Sequence, residues 1–183
     1  AMAAADQAQE LDIDPRYAFF CKDLGQRARH DFLLQQALRR AISKGEFKLY
    51  LQPKFDLAGG QLIGAEALLR WPQADGSLCP PAEFIPVAER GRLMRPLGRW
   101  VFAEALRIRN QWHTDQLSGV PIAINVAADQ LASDDWVDAV QAQVDAGALQ
   151  PADLVCEITE SVALSEGEAT TARLRRLHDM GVK

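Results

Sequence analysis

Leu33, Leu34, Ala37, Leu38, Ala41 and Ile42 recur at the spacing of one helix face, and Gly45 follows them. The pattern predicts an amphipathic helix over Leu24–Lys44 with glycine as its stop. Ahead of it, the Ala-rich stretch Ala1–Leu11 suits a helix that Asp12–Pro15 breaks, and Tyr17–Phe20 reads as a short strand. Past Gly45 the pattern changes to strands over Phe47–Leu57 and Leu62–Leu69. Gly59-Gly60 between them marks an antiparallel hairpin. Pro80-Pro81 opens a short helix through Ala88, and Leu97, Val101, Ala105, Ile108 and Trp112 fall on one face of a longer one. Short buried strands follow at Pro121–Val126 and Leu154–Thr159. They alternate with helices at Asp134–Ala146 and Glu168–Met180, stopped by Gly147 and Gly181. Val182-Lys183 reads as the start of a further strand. This order implies parallel strands with helical crossovers, which an open doubly wound sheet and a (β/α) barrel both satisfy.

Three of these strands carry a polar residue that breaks their apolar pattern: Glu66, Asn125 and Glu157. Side chains alternate across a strand. Ile63, Ala65, Ala67 and Leu69 therefore face the helices, and Glu66, Leu68 and Arg70 face the other way. Asn125 and Glu157 likewise oppose the apolar residues of their strands. Each oxygen-bearing residue lies toward a C-terminal strand end, where barrels place their active sites. Two carboxylates and an amide oxygen are hard ligands suited to Mg²⁺, Mn²⁺ or Ca²⁺. A divalent cation would also relieve the repulsion between the glutamates. Arg70 could hold a phosphate beside such a cation, and Gln52 could add a neutral hydrogen bond.

Composition narrows the picture. A chain of 183 residues, 48% hydrophobic and 25% charged, can bury a core. The formal net charge of −5 argues against general nucleic-acid or membrane-surface binding but not against a small phosphorylated ligand. No apolar run approaches the roughly 18 residues of a membrane span. Cys21, Cys79 and Cys156 share no metal-ligand spacing and read as reduced thiols of a cytoplasmic protein. His30, His113 and His178 lack an acidic partner at ligand spacing. The pairs Arg90/Arg92 and Arg173/Arg176, with Arg175, read as solvated faces.

The local strings carry a resemblance. Glu66-Ala67-Leu68-Leu69-Arg70-Trp71 resembles the signature of the EAL domain, the bacterial phosphodiesterase that opens cyclic di-GMP. Leu51-Gln52-Pro53, Phe84-Ile85-Pro86 with Ala88-Glu89, Ile124-Asn125-Val126 and Glu157-Ile158-Thr159-Glu160-Ser161 resemble its other blocks, in order. The likeness covers Leu38 to the end. It implies a TIM-like barrel with an antiparallel first strand, and hydrolysis of cyclic di-GMP to the linear dinucleotide pGpG with two Mg²⁺ or Mn²⁺ ions. Carried over by position, Glu66, Asn125 and Glu157 would be metal ligands, with Glu66 also catalytic. Gln52, Leu68 and Arg70 would touch the substrate. Glu160, counted with Glu66 among the catalytic residues, would brace the loop that supports metal binding and dimerisation.

Two departures stand out. Ala127 occupies a position where the family usually has serine. The family's paired-aspartate motif, and its later lysine, glutamate and glutamine, would fall beyond Lys183, and a complete barrel needs roughly 250 residues. The expected organisation is therefore 1–23 as a leader or the tail of a GGDEF-type domain, 24–45 as a connector helix, and 46–183 as the N-terminal half of an EAL domain. Such a piece is expected to be inactive alone and to leave the strand at Leu154–Thr159 with an unpaired edge. The alternatives are a receptor that binds cyclic di-GMP without cutting it, and a non-catalytic interaction fragment.

Overall fold

The computed structural model describes residues 22–114, 117, 119–158 and 167–183. The expectations for Ala1–Leu11 and Tyr17–Phe20 fall outside the described residues. Helix α1, Lys22–Lys44, buries Leu38 and Ala41 from the apolar stripe, whereas Phe32 and Leu33 stay exposed. Gly45 ends it at φ +65°, a left-handed conformation that glycine adopts without a Cβ clash.

Strands β1 (Lys48–Phe55) and β2 (Leu62–Pro72) form the expected antiparallel hairpin. The Asp56 carboxylate holds its turn, accepting the backbone N–H groups of Gly59 and Gln61. Those donors keep the Asp56 carboxyl below its ordinary pKa. A two-residue strand β3, Leu78–Cys79, pairs back onto Trp71 and Pro72 and has no counterpart in the sequence reading. It is too short to show an alternating pattern. Helix α2 (Pro81–Arg90) begins on its proline, and helix α3 spans Met94–Thr114. Strand β4 (Ile122–Val126), a 3₁₀ turn at Ala128–Gln130 and helix α4 (Asp135–Asp145) come next. Strand β5 (Leu154–Ile158) and helix α5 (Glu168–Met180) complete the described elements, with Gly181 at φ +95° as the stop.

The sheet runs β1-β2-β4-β5, with β3 attached to β2. β1 is antiparallel to β2, and β2, β4 and β5 are mutually parallel. This is the expected α/β architecture: an unclosed, TIM-like partial barrel whose first strand runs against the rest. Two apolar clusters hold it. In one, Ile122, Ile124 and Val126 of β4 and Leu154 of β5 pack against Val101 and Phe102 of α3 and against Trp136, Val137 and Val140 of α4. In the other, Phe47, Trp71 and Phe84 pack ring on ring with centroids 5.6–6.0 Å apart, joined by Leu38, Ala41 and Leu97. Contacts of this kind add about 0.5–1.5 kcal/mol per aromatic pair beyond area burial.

Three expectations are corrected. Ile63 does not face the helices; it is 54% exposed. It precedes the ladder between β2 and β4, which begins at Ala65, and so lies outside the part of β2 that pairs with a parallel neighbour. The outer edge of β5 is not bare. The Cys156 N–H donates to the Lys183 carbonyl at 2.7 Å, and the Lys183 N–H donates to the Leu154 carbonyl at 3.1 Å. The Gly181 turn brings Lys183 back alongside β5, so the predicted next strand is already in register. Finally, Arg173 is no solvated residue. Its guanidinium donates to Asp134 at 2.9 Å and to the Leu131 carbonyl at 3.0 Å, and Arg176 donates to Asp138 at 2.8 Å. These arginines clamp α5 to α4.

Candidate active site

Pairing register brings the polar strand residues together. Gln52 of β1 lies opposite Glu66 of β2, and Asn125 of β4 lies opposite Glu157 of β5. Glu66 pairs with Ala123, two positions before Asn125, which leaves Glu66 and Asn125 diagonal neighbours on one sheet face. The Asn125 Nδ2 donates to Glu66 Oε1 at 3.1 Å. Glu66 sits mid-strand in β2, because β2 continues to Pro72, but close to the end of the parallel ladder with β4. Asn125 and Glu157 are each the penultimate residue of their strands. The three predicted oxygen ligands thus converge where the parallel strands end.

The residue between the two glutamates was not singled out from the sequence. Lys54 of β1 donates from Nζ to Glu157 Oε1 and lies 3.7 Å from Glu66 Oε2. The hydrogen bond to Glu157, and the charges of both glutamates, raise the Lys54 pKa above its ordinary value against a smaller desolvation effect. The signal was available: strand alternation places Lys54 on the same face as Gln52, two residues on. Gln130 was missed too. It is buried, and its Oε1 accepts the Ala127 N–H at 3.0 Å, fixing the chain as it leaves Asn125 and β4.

Leu68 and Arg70 border a cleft of about 270 Å³ that also takes in Asn125 and Glu157. Ile85 of α2 and Met94 of α3 form its apolar side. The Arg70 guanidinium donates to the Leu69 carbonyl at 2.9 Å and stacks 5.8 Å from the Tyr50 ring centroid. Gln52 is exposed beside Glu66. Glu160 lies outside the described residues.

The donor chemistry suits a hard divalent cation: two partly buried carboxylates already share one ammonium, and an amide is hydrogen-bonded to one of them. Among the described residues no group of three or more His, Cys, Asp and Glu side chains is placed to hold a metal ion; here Glu66 and Glu157 supply the carboxylates and Asn125 the amide. Among the described residues, Cys79 and Cys156 take no part. Burial pushes the Cys156 thiol up to about 12, and burial, then the Glu83 charge, push Cys79 up to about 11. His30 does have an acidic neighbour, Glu83 at 3.4 Å, supplied from another helix where linear spacing could not reveal it. The His113 side chain lies outside the described residues. No described helix is long and apolar enough to cross a membrane.

Fold and site together define an open α/β barrel domain with an acidic, cation-holding centre at its strand ends. The chain belongs to the EAL domain family, whose model matches residues 35–183. It is 35% identical over 166 residues to the bifunctional diguanylate cyclase/cyclic di-GMP phosphodiesterase MucR of Pseudomonas aeruginosa, covering 91% of this chain and 24% of that protein. It is 33% identical over 182 residues to the cyclic di-GMP phosphodiesterase PA2567 of the same organism, covering 99% of this chain and 30% of the relative. Among solved structures it resembles the PaMucR phosphodiesterase in complex with c-di-GMP, with a TM-score of 0.75 and 36% identity over 82% of this chain and 61% of that one. The chain therefore spans about a quarter to a third of the length of these curated relatives.

Proposed function

We propose that this chain supplies the first half of a site that hydrolyses cyclic di-GMP to linear pGpG. The observation that carries the proposal is the convergence of Glu66 and Glu157 on a single ammonium, with Asn125 hydrogen-bonded to Glu66, in a member of a family whose named relatives cleave this substrate. Glu66, Asn125 and Glu157 would hold Mg²⁺ or Mn²⁺, two ions in a complete site. Bound ions would supply Lewis-acid stabilisation of the charge on the phosphoryl oxygens and activate water for in-line attack. Arg70, at the cleft wall, would pair with a phosphate, and Gln52 would hydrogen-bond to the substrate. Leu68, with the apolar cleft side from Ile85 and Met94, suits the face of a purine base. Glu160 would brace the loop after β5.

On this reading 24–45 is a connector helix and 46–183 the N-terminal half of the domain, with 1–23 as a leader or the tail of a GGDEF-type neighbour. The domain would pair with a second copy and act in the cytoplasm. The open sheet and the partial ligand set support the view that these 183 residues alone turn over little substrate.

The gene product that carries this chain, assayed with Mn²⁺, should convert cyclic di-GMP to pGpG. Substitution Glu66→Gln should lower the rate by about a hundredfold or more, since even groups that only orient metal ligands account for about 10–100-fold. Wild-type turnover that survives the substitution would refute the assignment. Binding without any turnover in the wild type would make the domain a receptor.

A further inference from the structure

We propose that Lys54 is a built-in counter-cation, occupying the place between Glu66 and Glu157 that a divalent metal must take, so that metal entry requires its ammonium to leave. The inference rests on the reading of those carboxylates as metal ligands. It concerns a residue that neither the sequence motifs nor the expected ligand set includes.

Geometry carries the argument. The Lys54 ammonium donates to Glu157 Oε1 and lies 3.7 Å from Glu66 Oε2, while Asn125 occupies the other oxygen of Glu66. One ammonium therefore ties the antiparallel strand β1 to β2 and to β5, the last described strand of the sheet. It bears one positive charge against two carboxylates, which leaves the site short of positive charge and receptive to a dication. A dication held by the same oxygens would lie close to the ammonium, and like charges at that range repel strongly.

Lys54 is free to yield. Its side chain is 42% exposed and reaches the site from the rim of the sheet, so it can swing into solvent with little loss of burial. Arg70, the other cation at the cleft, is directed to the Leu69 carbonyl and the Tyr50 ring, and does not share this role. In the metal-free protein Lys54 would restrain two carboxylates that otherwise repel. In the metal-bound protein it would be released beside the cleft.

The test is Mn²⁺ binding by the gene product that carries this chain, followed by calorimetry and by electron paramagnetic resonance, without any activity measurement. Lys54→Gln should bind Mn²⁺ about three- to tenfold more tightly than wild type, the range set by losing partly exposed ion pairs. Lys54→Arg, which keeps the charge, should bind like wild type. Metal-free Lys54→Gln should melt below wild type, and Mn²⁺ should raise its melting temperature by more. Unchanged or weaker Mn²⁺ binding by Lys54→Gln would overturn the proposal. Glu157→Gln separates the two levels. If it leaves Mn²⁺ affinity intact, or if neither wild type nor Lys54→Gln binds the metal, the ligand assignment fails and this inference with it. If Glu157→Gln weakens binding but Lys54→Gln fails to tighten it, only the counter-cation role is lost.

Discussion

Gly98 lies so close to the Gln130 carboxamide that an added Cβ would meet Nε2 inside any real contact distance. In an open helix, glycine to alanine is favourable by up to about 1 kcal/mol. Here steric crowding against a buried amide dominates, so Gly98→Ala should lower unfolding free energy by about 1–3 kcal/mol, the usual cost of overpacking. Because Gln130 also holds the Ala127 N–H just past Asn125, the same substitution should weaken Mn²⁺ binding. Urea unfolding and metal titration of this variant would check both effects; a stabilised protein would mean that Gln130 simply moves aside. At this scale the glutamates and asparagine were legible because each breaks an apolar strand pattern. Lys54 and Gln130 were less so. Lysine in an edge strand reads as a solvated residue, and the value of a buried glutamine lies in a hydrogen bond that sequence does not display.

Elements were legible wherever periodicity ran long. The helices at Lys22–Lys44 and Glu168–Met180 lie within two residues of the expected bounds. The two-residue β3 and the position of Ile63 were hidden, since both depend on which strand begins pairing where. Ion pairs between elements were hidden for the same reason. Arg109 of α3 and Asp153, just before β5, pair where both are buried, at 5% and 8% exposure. The pair fixes α3 against the start of β5, and thereby the strand that presents Glu157. Replacing Arg109 with alanine would strand the Asp153 charge, and a broken buried pair costs about 3–5 kcal/mol. Chemical denaturation should register that loss. A change below about 1 kcal/mol would show that water reaches Asp153 and screens it.

Across the whole molecule, the sequence order of strands and helices left an open sheet and a barrel equally possible. The antiparallel β1 at one side of a parallel β2-β4-β5 set agrees with the EAL family to which the chain belongs. Parallel register is what makes the site: shifting β5 by one residue would turn Glu157 to the helix face and remove it from Lys54 and Asn125. The central claim is that these strand ends gather metal around the substrate's phosphate. Crystals of the gene product that carries this chain, grown with Mn²⁺ and cyclic di-GMP, would be measured at the manganese absorption edge. The account predicts an anomalous peak within coordination distance of Glu66, Asn125 and Glu157, with a substrate phosphate beside it and Lys54 turned away. A peak elsewhere, or a bound dinucleotide whose phosphates avoid these residues, would contradict it.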